Sequence, residues 1–172
     1  AYALPRGFGK TTLASAASLW AACYGHRRYV LIVSATGSEA AKVLRGLKTM
    51  IETTPELAED FPAVTYPVQA LEGIVQRGPG QLSNGRPTRL AWKHNQIVLA
   101  DIEGAPSAGA IIETVGITGA IRGRRYVLST GQNLRPDLVL IDDPQTRRSA
   151  KSREQTKNRL ETINGDILGL NS

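Results

Sequence analysis

Two apolar stretches without polar alternation, Tyr29 to Ala35 and Leu138 to Ile141, constrain the fold more than any other feature of the chain. A strand with one wet face alternates apolar and polar side chains. A short run that does not alternate and carries β-branched residues belongs to a strand covered on both faces, the usual setting of a parallel sheet between helical layers. The neighbouring segments supply the helices. Lys10 to Tyr24 is rich in Ala and Leu and stops at Gly25, which suits the left-handed turn that closes a helix. Thr36 followed by Glu39 has capping-box spacing, and Val43, Leu44, Leu47, Met50 and Ile51 recur at helical intervals behind it. The predicted fold class is therefore α/β, with a mostly parallel central sheet flanked by helices.

Farther along, Pro55 and Pro62 punctuate the chain, and Val68, Leu71, Ile74 and Val75 predict a short amphipathic helix ending near Arg77. Arg77 to Thr88, with Gly78, Pro79, Gly80, Asn84, Gly85 and Pro87, reads as a mobile loop. Leu90 to Ala100 and Ala110 to Val115 read as strands divided by a turn at Gly104 to Ser107. Thr146 to Leu160 is polar, basic and helical in composition, and Ile163 to Leu170 starts a further element. No internal repeat is visible.

The length of 172 residues suits one domain that buries its own core. No stretch of about eighteen apolar residues predicts a membrane span, and the first ten residues have no secretory-leader pattern, so a cytoplasmic setting is expected. Cys23 has no disulfide partner, and His26 and His94 stand too far apart in sequence for zinc spacing, so structural metal is not expected. The net charge of +6 is compatible with a polyanionic partner. Part of the excess is concentrated in Arg122, Arg124 and Arg125, and in Arg147, Arg148, Lys151, Arg153, Lys157 and Arg159. These side chains either contact DNA phosphates or form solvated surface, and the first three can also face a neighbouring subunit's nucleotide. With 5% aromatic residues, Trp20, Trp92 and Tyr24 read as core or interface groups rather than base-stacking platforms.

Two motifs carry the chemistry. Leu4-Pro5-Arg6-Gly7-Phe8-Gly9-Lys10-Thr11-Thr12 leads straight into the first helix, the context in which a glycine-bearing loop turns its amides toward a phosphate. In G-x-x-x-x-G-K-[ST], Leu4 replaces the first glycine, while Gly9, Lys10 and Thr11 match. Lys10 is placed to reach the β and γ phosphates of ATP and the Thr11 hydroxyl to ligate Mg²⁺. The alternative is a chance Gly-Lys-Thr before an Ala-rich helix. The second motif is the strand Leu138 to Ile141 ending in Asp142 and Asp143, a Walker B pattern in which the first acid holds Mg²⁺ through water and the second orients or deprotonates the attacking water. Two adjacent acids also serve as an ordinary strand-ending turn. The order of the two motifs favours the paired reading.

Together with Gly119-Ala120-Ile121-Arg122-Gly123-Arg124-Arg125 and Arg135-Pro136-Asp137-Leu138-Val139-Leu140-Ile141-Asp142-Asp143-Pro144, the opening loop resembles the large terminase subunits of tailed bacteriophages. The likeness spans most of the chain, and the Arg-Pro-Asp lead into a double-aspartate strand is its most specific part. The resemblance implies a P-loop NTPase of the additional-strand (ASCE) type that uses ATP and Mg²⁺ to drive viral double-stranded DNA into a procapsid. It also implies a homo-oligomeric ring on the portal protein, a terminase small subunit as partner, and work in the cytoplasm of the bacterial host. Nucleotide would be bound by Pro5, Arg6, Gly7, Phe8, Gly9, Lys10, Thr11 and Thr12, with Thr11 and Asp142 at the metal and Lys10, Arg6 and Asp143 in catalysis. Arg6 matches the arginine that the family carries inside its phosphate loop, with a surface ion pair as the alternative.

Where that family often has Glu after the Walker B aspartate, this chain has Asp143, one methylene shorter. The upstream strand, a coupling motif and the acidic nuclease domain are not found, so residues 1 to 172 read as a single partial ATPase domain, truncated at both ends and without nuclease activity. The rival readings are a helicase-like or recombinase-like P-loop NTPase, and a degenerate prophage remnant that binds nucleotide or DNA without turnover.

Overall fold

The computed structural model describes residues 9–128 and 130–167. Helix α1 (Lys10–Cys23) is followed by strand β1 (Tyr29–Ser34) and helix α2 (Gly37–Thr53). Two short helices, α3 (Pro55–Asp60) and α4 (Pro62–Gln69), each begin on a proline, whose missing N–H costs nothing in a first turn. Gly25 takes φ +70 just after α1, and a side chain there would lie 2.6 Å from the carbonyl oxygen of Pro106. Glycine is thus demanded twice over, by backbone conformation and by space. At the start of α2 the Thr36 hydroxyl accepts the Glu39 amide at 3.2 Å, the cap that the Thr-x-x-Glu spacing predicts.

The segment from 70 to 88 is more ordered than its composition predicts. The helix over Val68 to Val75 stops at Gln69, because Glu72 and Gly73 both turn left-handed, and a 3₁₀ segment spans Val75–Gly80. The expected loop contains a small hairpin, β2 (Leu82–Ser83) against β3 (Arg86–Pro87), closed by Asn84 and Gly85 at φ 50 and 76. Asn-Gly is the pair that a two-residue turn with both φ positive favours.

The stretch Leu90 to Ala100 splits into the hairpin β4 (Ala91–Lys93) and β5 (Gln96–Val98), and β6 (Ile111–Gly116) follows. A second small hairpin pairs β7 (Tyr126–Val127) with β8 (Asn133–Leu134), after which come β9 (Leu138–Ile141), α5 (Arg147–Ala150) and α6 (Arg153–Thr162). The chain from Ile163 to Ile167 continues in a wide π turn.

The central sheet has the order β4-β5-β6-β1-β9. Strands β6, β1 and β9 are mutually parallel, and β5 pairs antiparallel with both β6 and β4, so β5 alone runs against the other four and the sheet is mixed. All six residues of β1 are buried, as a non-alternating run requires. Strand β9 differs: it pairs with β1 on one side, and its residues are only half-buried, with Ile141 exposed. Val30 and Ile32 of β1 pack with Ile112, Leu44, Leu47, Ile51 and Leu19 on the face that α1 and α2 cover. Leu31 and Val33 pack on the opposite face with Val115, Ile117, Ile121 and Ile167. No helix among the described residues is long and apolar enough to cross a membrane.

Candidate functional site

The parallel ladder puts two polar residues at one edge of the sheet. Val33 lies opposite Ile141, and the Asp142 amide donates to the Val33 carbonyl at 2.8 Å, carrying the β1–β9 pairing one residue beyond β9. Ser34 and Asp142 therefore leave neighbouring strands side by side at their C-terminal ends. Open α/β sheets hold ligands at this edge.

Helix α1 meets that edge with its N-terminus. Gly9 precedes it in a left-handed conformation, φ 67 and ψ 25, and no side chain caps the helix start. The first turn of a helix presents amides without intrahelical acceptors, together with partial positive charge. Within that turn the Thr11 hydroxyl donates to both carboxylate oxygens of Asp142, at 3.1 and 2.9 Å, joining residues 131 positions apart in sequence. Asp142 is buried, and Thr11 is exposed.

A cavity of about 630 Å³ opens beside this contact. Its walls come from α1 (Thr11, Thr12, Ser15), the end of β1 (Ser34, Ala35), the inner side of α2 (Glu39, Lys42, Val43, Gly46, Met50) and the segment after β9 (Asp142, Asp143, Gln145, Thr146). Asp143 is exposed and sits at φ 42, a left-handed conformation that Asp tolerates better than most residues and that turns the chain away from the strand. The Thr146 hydroxyl accepts the Ser149 amide at 3.2 Å, so α5 begins directly behind the cavity.

Of the residues that the sequence singles out, Thr11, Thr12, Asp142 and Asp143 come together around this cavity, and Gly9 and Lys10 form the entry to the same helix. Pro5, Arg6, Gly7 and Phe8 lie outside the described residues. A hydroxyl and a carboxylate side by side are hard oxygen donors of the kind Mg²⁺ takes. No group of three or more His, Cys, Asp or Glu that could hold a metal occurs among the described residues. Two protein oxygens suit Mg²⁺, which keeps water and substrate phosphate in its shell rather than a full protein cage. Sequence reasoning missed Ser34, Ser15, Glu39 and Lys42. The available signal was Ser34 itself, a polar residue at the end of an otherwise apolar strand.

The arginines after β6 have separate roles. Arg124 pairs with the carboxylate of Glu113, which also accepts the Tyr29 hydroxyl, and the Arg124 Nε–H donates to the Ala120 carbonyl at 2.6 Å. Glu113 is buried, and burial and then the Glu113 carboxylate push the Tyr29 phenol well above its usual range. Arg122 reaches Asp166 at 3.2 Å on the surface, and Arg125 is exposed. In the basic tail, Arg159 donates to the Ser149 hydroxyl, while Lys157 stands 3.8 Å from Glu161. Trp92 is buried and donates to Glu52 at 3.1 Å, whereas Trp20 and Tyr24 are half-exposed and form ring contacts with His26.

The lead into β9 also has a structural part. Asp137 accepts the backbone amides of Arg28 and Tyr29 at 2.8 and 2.9 Å, and its own amide donates to the Tyr29 carbonyl at 3.0 Å. The start of β1 is thereby clamped to the start of β9.

No family model, curated protein or solved structure matches the chain.

Proposed function

We propose that the chain is a Mg-dependent ATPase domain of the P-loop, additional-strand type. One observation carries this reading: the Thr11 hydroxyl, at the start of the helix behind a Gly-Lys-Thr sequence, meets the Asp142 carboxylate at the end of an apolar strand, in the wall of a cavity that also takes Asp143. Thr11 and Asp142 would hold the ion. The chemistry supplied at that pair would be neutralisation of phosphate charge. Lys10 would reach the same phosphates, and Asp143 would accept the proton of the attacking water. Among the described residues lining the cavity, three carboxylates, Glu39, Asp142 and Asp143, stand against one ammonium, Lys42. A polyphosphate without its cation would meet that acidic wall, so nucleotide affinity should require Mg²⁺.

The more specific reading rests on the resemblance of the three sequence segments to large terminase subunits. On it, this domain powers translocation of viral double-stranded DNA into a procapsid in the bacterial host's cytoplasm. It does so as part of a homo-oligomeric ring with a portal protein and a small subunit, with Arg6 assisting at the transferred phosphoryl group.

The test is ATP turnover by the parent chain, Lys10→Ala and Asp143→Asn, with and without Mg²⁺. Turnover that needs Mg²⁺ and falls at least about 100-fold in both variants supports the ATPase. Nucleotide binding without turnover in the parent would instead favour a remnant that has kept only the binding site, and DNA unwinding stimulated by ATP would favour a helicase.

A further inference from the structure

The Ser34 hydroxyl is the one buried side-chain polar atom among the described residues that has no hydrogen-bond partner. The residue is 2% exposed, ends the most buried strand of the sheet, and lines the cavity between α1 and α2. Its backbone is fully used, since its carbonyl accepts the Ile117 amide at 2.8 Å and the residue pairs with Gly116. The side chain belongs to the face on which Val30 and Ile32 pack, the face that α1 covers. Asp142, one strand over, turns its carboxylate to the same side, where it meets Thr11. An apolar residue would fill this position more cheaply, because a buried hydroxyl without a partner forfeits its hydration and gains nothing in exchange.

We infer that Ser34 is a ligand-binding residue whose hydroxyl donates to an oxygen of the terminal phosphoryl group of a nucleoside triphosphate. The inference rests on the nucleotide reading of the cavity and adds a contact that neither sequence motif contains. Register gives the direction: Ser34 neighbours Asp142, so its hydroxyl faces the end of the ligand that the Thr11–Asp142 pair would grip through the ion. It would thus separate triphosphate from diphosphate.

The experiment measures the affinity of the parent chain and Ser34→Ala for Mg-ATPγS and Mg-ADP, together with the ligand-free melting temperature. Ser18→Ala serves as the control, since the Ser18 hydroxyl is equally buried but already donates to the Ala14 carbonyl at 2.8 Å. Ser34→Ala should weaken Mg-ATPγS about tenfold or more and leave Mg-ADP within about twofold, the loss of one hydrogen bond to a charged acceptor. Its ligand-free melting temperature should not fall, whereas that of Ser18→Ala should fall with no change in the ratio of the two affinities. Equal loss for both nucleotides, or none for either, overturns the inference while leaving the nucleotide reading in place. Failure of the parent to bind either nucleotide overturns both.

Discussion

Removing the Arg124 guanidinium should destabilise the fold far more than removing its neighbour Arg125. Glu113 lies buried within β6 and is satisfied by two donors, the Tyr29 hydroxyl and Arg124. In Arg124→Ala the carboxylate keeps one donor and loses its counter-charge. Stripping one partner from a buried ion pair costs about 3–5 kcal/mol. The Arg124 side chain is 22% exposed, so water can partly replace it, and the lower end, about 3 kcal/mol, applies. For a chain of this length that is a fall in melting temperature of roughly 6–12 °C. Arg125 is exposed and should change stability by less than about 0.5 kcal/mol when truncated. Urea unfolding followed by the fluorescence of buried Trp92 measures both. Adding Glu113→Gln to Arg124→Ala removes the stranded charge, so the double variant should lose less than the sum of the single losses. If Arg124→Ala unfolds with Arg125→Ala, the triad is not a structural unit, and Arg124 becomes available for the phosphate contact that its sequence context first implies.

Gly116→Ala should cost about 1–3 kcal/mol in the same assay, because a Cβ there would sit 2.5 Å from the Gly37 amide nitrogen and 2.8 Å from the Thr36 carbonyl carbon, both backbone atoms that cannot swing aside. Asp137→Ala, which removes the acceptor of two backbone amides, should cost about 1–2 kcal/mol, discounted for its exposure, and should also lower Mg-nucleotide affinity although the residue is remote from the cavity. Burial pushes the Cys23 thiol up to about 12, so the folded chain resists a deprotonation that the unfolded chain undergoes near pH 8.5. Stability should hold below that pH and then fall as pH rises toward 12, by about 1.4 kcal/mol per unit from this group. Thermal melts from pH 8 to 10 should be steeper for the parent than for Cys23→Ala, and equal slopes would refute the assignment.

Much of the α/β plan was legible because it rests on local signals. Unbroken apolar runs, the Thr36–Glu39 cap and Gly25 each act within one element, and β1, α1 and α2 begin and end within a residue or two of the expected positions. Long-range pairing was not legible. Nothing local tells Gln96 to Val98 to run antiparallel to β6, so Leu90 to Ala100 read as one strand when it is a hairpin. Leu138 to Ile141 looked as buried as Tyr29 to Ala35, but burial depends on neighbours, and β9 has a partner on one side only among the described residues. The Asn84-Gly85 hairpin differs: Asn-Gly carries a turn signal, but in a stretch dense in Gly and Pro that signal does not stand apart from loop composition. At the site, Thr11 and Asp142 were named from motif spacing. Ser34, Glu39 and Lys42 belong to it through packing, which no motif encodes.

The geometry of the candidate site follows from sheet register, and that explains why Asp137 should matter so far from it. Asp137 binds the amides of Arg28 and Tyr29 at one end of the β1–β9 pair, five residues before Asp142, a span of about 16 Å along an extended strand. Between these ends, Val30 to Val33 lie opposite Leu138 to Ile141. In a strand, a slip of one residue sends every side chain to the other face. Such a slip of β9 would turn Asp142 away from α1, break its contact with Thr11 and leave Ser34 without its acidic neighbour. The apolar side chains of β9 are only half-buried and thus hold this register weakly, so the clamp at Asp137 must supply much of the specification. The Arg-Pro-Asp lead and the double aspartate are in this sense one device: the first acid sets where the strand starts, and the strand length sets which face the second acid serves.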